Sequence, residues 1–148
     1  MTRTVSVDSG PSIYAQSICI GAHVLHADQP AEAGGNDIGP GSIELLMASL
    51  GACASITAQM YAARKRWNLQ NVHVEVAYER VLAAGSTTSG AKIAMADQIE
   101  MQISLSGDLS EEQRTRLFDI ANRCPVHRLL TSEVKIQSRL LLPDASPQ

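Results

Sequence analysis

Two of the three cysteines in this sequence stand where a thiol can do chemistry. Cys53 lies in the run Gly51-Ala52-Cys53-Ala54-Ser55, whose small neighbours leave room beside the sulfur. Nucleophilic use requires a thiolate. An ordinary thiol near ~8.5 is only about 3% ionised at pH 7, whereas one lowered to ~6.5 is about three quarters ionised. The plainer reading is a packed core thiol, because free cysteine is among the most buried residue types. Helix polarity does not decide between them. Cys53 falls eleven residues beyond Ser42, about 16 Å at ~1.5 Å per residue, and the dipole acts only within the first turn. A cation or donor must come from elsewhere in the fold. Cys124 directly precedes Pro125, a residue suited to the first position of a helix. Cys124 would then be the helix cap, facing free N–H groups, with Arg123 and Arg128 close in sequence. These features favour a thiolate; the alternative is a small residue at a helix–helix corner. Cys19, between Ile18 and Ile20, reads as a core strand residue.

Other chemistries find little support. The histidines at 23, 26, 73 and 127 form no C-x-x-C or H-x-x-x-H pair, so no metal is expected. There is no glycine-rich phosphate loop and no G-x-S-x-G elbow, and no cofactor is implied. A net charge of −3 and 3% aromatic residues offer neither a basic stripe nor a stacking platform for nucleic acid. The N-terminal residues lack an apolar leader core. With no export signal and three cysteines, a reducing, cytoplasmic location is expected.

The elements that must hold these thiols follow from pattern. At 148 residues the chain suits one domain, expected over 1–148 with about 1–12 and 143–148 flexible. Ile13 to Ile20 and His23 to Ala27 read as strands divided at Gly21. Gln29 to Gly41, rich in glycine and proline, is a loop. Ser42 can cap a long helix running to about Arg66. The run Ile43 to Ala63 approaches the length of a membrane span, but Glu44, Ser49, Thr57 and Gln59 interrupt it. It reads as a buried helix, and no membrane partner is expected. Being apolar on nearly every side, it must be covered on every side, which points to a second subunit. Val72 to Leu82 and Gln98 to Gly107 alternate as strands, joined by a Gly/Ser/Thr-rich turn. Ser110 and Gln113 form a capping box for a helix to Asn122. A short helical turn after Pro125 precedes a last strand from Val134 to Leu142. Strands grouped on either side of helices indicate an α+β fold.

Two segments resemble the OsmC/Ohr family. One is Gly34-Gly-Asn-Asp-Ile-Gly-Pro-Gly-Ser-Ile-Glu-Leu-Leu-Met-Ala-Ser-Leu-Gly-Ala-Cys53, running on to Met60-Tyr61. The other runs from Gly107-Asp-Leu-Ser to Ala121-Asn-Arg-Cys124-Pro-Val-His-Arg128. The resemblance implies an intertwined homodimer with a long central buried helix and antiparallel sheets. It further implies thiol-dependent reduction of hydroperoxides, with Cys53 attacking and Cys124 resolving it as a disulfide that a dithiol, small or lipoyl-type, reopens. Where the peroxidase branches place a Glu that helps to hold an activating Arg, ten residues before the first cysteine, this chain has Ile43. Glu44, nine before Cys53, falls on the opposite side of the helix and suits a favourable charge near the helix start. No arginine lies in 13–27 to match the family's activating one, leaving His127 and Arg128 as candidates. Two other functions stay open: a redox-sensing or dithiol-exchange module, and a dimer binding a small apolar ligand.

Overall fold

In a computed structural model that describes residues 3–83 and 94–141, the chain runs β1 (Ser6–Ser9), β2 (Gln16–Ile20), β3 (His23–Ala27), a 3-10 turn at Ala31–Ala33 and α1 (Ser42–Lys65). It continues through β4 (Asn68–Leu82), β5 (Met95–Asp108), α2 (Glu111–Ala121) and α3 (Pro125–Leu130). The architecture is α+β. β1, β2 and β3 form one antiparallel sheet, and β4 and β5 form another. The glycine-rich stretch 84–93, read as a turn, and the tail 143–148 lie outside the described residues.

The alternation read from sequence builds the second sheet. Val72 pairs with Leu105, Val74 with Ile103 and Val76 with Met101, which puts the apolar members of both strands on one face. That face receives α1. At Gly51 the helix comes so close to the hairpin that an added Cβ would lie 3.3 Å from Val76 Cγ2. Near the far end of the pair the register slips between Leu69 and Asn71, opposite Gly107 at φ +133. A Cβ there would sit 2.1 Å from the Asn68 carbonyl oxygen, so only glycine fits this bulge.

The core is a stripe of small residues on α1, Leu50, Ala54, Ala58 and Ala62, closed by Leu117 and Ala121 of α2 and by Cys124. Repetition every fourth position keeps the α1 stripe on one face, and alanine lets α2 pack close. A further face of α1 is uncovered in a single chain: Ile43, Leu46, Ile56 and Met60 are exposed. This helix is long and apolar enough to cross a membrane by length and composition, yet it is the element on which the hairpin and both short helices pack.

Several sequence expectations are corrected. Ser42 is the first helical residue and Gly41 occupies the cap position. The Gly41 N–H donates to Glu44 Oε2 at 2.6 Å, so the carboxylate supplies the cap that a serine hydroxyl was expected to give. Ser6–Ser9, inside the segment expected to be flexible, pairs along β2; its partner strand, not its own apolar pattern, orders it. β2 begins at Gln16 rather than Ile13. Among the described residues, 134–141 form no strand. Their apolar side chains lie in the open, Ile136 at 86% exposure and Leu140 at 84%. A strand exists only against a neighbour's backbone, and among the described residues no strand pairs with this segment.

Candidate active site

The short third helix fixes Cys124. Pro125 stands at its first position and Cys124 at its cap, with extended backbone angles (φ −63, ψ 156), as the Cys-Pro order predicts. The Cys124 sulfur accepts from the His127 backbone N–H at 3.4 Å. Leu117, Ala121 and Cys124 repeat at helical spacing, so the buried face of α2 continues into the sulfur. Cys124 is wholly buried.

Burial is what sets its proton affinity. Removal from water pushes the Cys124 thiol above the ordinary range; the His127 backbone donor pulls the other way, and the neighbouring Cys53 side chain adds to the rise. The sequence expectation of a thiolate at the cap is therefore corrected. The donor is present as foreseen, but desolvation of the charge outweighs one long N–H···S contact. The arginines expected to help do not reach it: Arg123 and Arg128 are exposed, and Arg128 meets Cys124 only through a main-chain hydrogen bond to its carbonyl.

Cys53 comes from the facing side of α1. It is half-buried and packs at the edge of the core that contains Cys124. The fold thus brings the two thiols to one core across 71 positions of sequence. One turn further on, the Thr57 hydroxyl donates to the Cys53 carbonyl at 2.6 Å. Among the described residues, no side-chain cation makes an ion pair or hydrogen bond with the Cys53 sulfur. Glu44 is on the other side of α1, lining a groove with Met47, Gly51, Val74 and Val76, in keeping with its role at the helix start. His127 reaches Cys124 with its backbone, while its side chain lines a separate cavity of about 340 Å³ with Leu50, Asp97, Met101 and Asn122. Cys19 sits in β2, opposite Val24 of β3 and Ser6 of β1, apart from this pair.

Two contacts that brace the α1–α2 seam beside the thiols were not read from the sequence. Leu117, fully buried, is part of the shared core behind both sulfurs; its spacing of four and then seven to Ala121 and Cys124 was the available signal. Tyr61, eight positions beyond Cys53 on α1, is held by Arg116 of α2, whose Nε donates to the phenol oxygen at 3.2 Å. No spacing rule links positions 55 apart.

Comparison with known proteins matches residues 34–139 to the family described as OsmC-like protein. No curated protein sequence matches. Solved structures share the fold. An OsmC-like protein from Mycoplasma pneumoniae superposes with a TM-score of 0.68 at 19% identity, covering 88% of this chain and 87% of the other. The organic hydroperoxide resistance protein OhrB of Bacillus subtilis gives 0.60 at 18% identity, over 88% and 91%. An organic hydroperoxide resistance protein OsmC from Legionella pneumophila gives 0.62 at 16% identity, over 88% and 90%. At these identities the likeness is one of fold.

Proposed function

This chain belongs to the OsmC-like protein family, and from that premise we propose that it reduces organic hydroperoxides with Cys53 as attacking thiol and Cys124 as resolving thiol. The observation that carries the proposal is that Cys53 packs against the buried cluster containing Cys124. The differing exposure of the two sulfurs supports the division of roles. Cys53, half-buried, is the one a substrate can reach, and Cys124 is sealed behind it.

In the first step the Cys53 thiolate attacks the outer peroxide oxygen. The O–O bond breaks, the alcohol leaves with a proton, and Cys53 becomes a sulfenic acid. In the second, the Cys124 sulfur displaces hydroxide from Cys53, which leaves as water once protonated, and a disulfide forms. A dithiol then returns two electrons and two protons and is itself oxidised to a disulfide. The His127 N–H stabilises negative charge on Cys124 as it ionises for the second step.

We further propose that the working unit is a homodimer in the cytoplasm. Exposed Ile43, Leu46, Ile56 and Met60 on α1, with the open apolar segment at 134–141, support a second copy as their cover. Light scattering should give about twice the chain mass of 15.8 kDa; a monomer at micromolar concentration refutes it.

The chemistry is tested by counting free thiols before and after one equivalent of cumene hydroperoxide. Two thiols should vanish, and the peptides bearing Cys53 and Cys124 should be found linked. If Cys53→Ser consumes peroxide as fast as the wild type, the assignment is wrong. A second reading, dithiol–disulfide exchange with slow peroxide turnover, is favoured by the lack of a cation on the Cys53 sulfur among the described residues. Turnover near the enzyme median of ~10 per second with a dithiol donor excludes it.

A further inference from the structure

The cavity that the His127 side chain lines, about 340 Å³, falls within the size range of small-molecule sites. Its walls stand close to both thiols. Leu50, one of its apolar residues, precedes Cys53 by one turn of α1, about 4.5 Å along the helix axis. His127 holds the Cys124 sulfur through its backbone N–H at 3.4 Å. Leu50 and Met101 give the cavity an apolar side, while Asp97 of β5, Asn122 at the end of α2, His127 of α3 and Thr131 at its cap bring polar groups.

The hydrogen bonds already made decide what these groups can still offer. Thr131 Oγ1 donates to the His127 carbonyl at 2.9 Å, and Asn122 Nδ2 donates to the Phe118 carbonyl at 3.1 Å. Thr131 has thus spent its one donor and Asn122 one of its two, while the oxygens of both accept nothing among the described residues. Asp97 accepts from the Tyr78 hydroxyl at 2.8 Å and pairs with Arg80 Nε at 3.4 Å, both through Oδ1, which leaves Oδ2. Because Arg80 matches its charge, the carboxylate does not call for a cation. What remains is an excess of oxygen acceptors beside an apolar wall, suited to a neutral chain that carries donors.

We propose that this cavity receives the body of the substrate, and that Asp97, Asn122 and Thr131 select hydroperoxides whose carbon chain bears hydroxyl groups over plain alkyl hydroperoxides. The inference rests on the peroxide chemistry assigned above to Cys53. The chain lies along Leu50 and Met101, its hydroxyls donate to the three side chains, and the peroxide end stays at Cys53. Each hydroxyl exchanges water for a protein oxygen, so its net worth is modest. The Asp97 side chain is 68% exposed, so a plain chain leaves the acceptors wet rather than stranded. The discrimination is therefore a few-fold per hydroxyl, far below the ~10⁴-fold of a sealed polar site.

The test uses the full-length protein with dithiothreitol as the dithiol and two substrates of equal carbon count, hexyl hydroperoxide and 5,6-dihydroxyhexyl hydroperoxide. The diol should be favoured at least about fivefold in kcat/KM. In N122L/T131V the preference should fall below about twofold, with far-UV circular dichroism and the urea midpoint reporting the fold. Thr131→Val alone, a change of similar shape, should lower it at least about twofold and decides the matter if the double variant does not fold. A plain chain turned over as well as the diol by the wild type, or a preference unchanged in the folded variants, overturns the choice of substrate class alone. If neither hydroperoxide is consumed faster than by Cys53→Ser, the peroxide reading itself falls, and this inference with it.

Discussion

Disulfide formation should quicken about tenfold per pH unit between pH 6 and 8. The perturbation is pH, acting on one group. Burial holds the Cys124 thiol above its ordinary range, and only its thiolate attacks the Cys53 sulfenic acid. Below the pKa of an attacking thiol, the thiolate fraction rises by a factor of ten per unit. An ordinary thiol would already be at most about 3% ionised at pH 7, and Cys124 must start lower. The full span from pH 6 to 8 therefore lies on the rising limb, a change of about a hundredfold. The measurement is a single turnover with cumene hydroperoxide at concentrations where the rate no longer depends on peroxide. That condition isolates the second step. Samples are quenched with acid at intervals, and mass spectrometry separates sulfenic acid from disulfide. A rate that stays flat over this range would mean that Cys124 rests as a thiolate. The dominance of burial over the His127 N–H donor would then be refuted. Cys124→Ser should accumulate the sulfenic acid at every pH, which dimedone will label.

Three other outcomes follow from burial and backbone shape. Iodoacetamide should modify the half-buried Cys53 and Cys19 before the wholly buried Cys124; peptide mapping that finds Cys124 alkylated first contradicts the fold around it. The raised thiol also ties stability to pH. Because the folded value lies above the unfolded one, the contribution is complete below the ordinary thiol range, ~8.5, and is lost as pH rises through the folded value. Urea melts should weaken as pH rises above the ordinary thiol range in the wild type and less steeply in Cys124→Ala. Leu117→Ala, which empties the centre of the α1–α2 contact, should cost about 3 kcal/mol. Gly107→Ala, at φ +133 against the Asn68 carbonyl, should cost about 2 kcal/mol or more. Both are read by chemical denaturation, and a change below about 0.5 kcal/mol in either would contradict the packing described.

Local codes carried much of this architecture. Apolar alternation placed β4 and β5. The Ser110–Gln113 box is present with both hydrogen bonds, at 3.0 and 3.2 Å. The Cys-Pro order placed a cap at 124. Each is a rule about residues within one turn or one strand, where backbone geometry alone relates side chains. The rules failed where two elements must meet. Ser6–Ser9 is a strand because β2 lies beside it, and residues 134–141 are not one because no described strand pairs with them. Glu44 displaced Ser42 as the source of the cap because a longer side chain could reach back to the Gly41 N–H.

The sequence by itself determined that two cysteines sit on helices, one of them at a cap, in a pattern resembling a thiol peroxidase family. Tertiary structure alone decided that they share one core, that Cys124 is sealed from water, and that Arg116 crosses to Tyr61. The reason is physical. Dihedral preferences and periodicity act over a few residues, whereas desolvation and contact across 71 positions depend on which faces the completed core brings together.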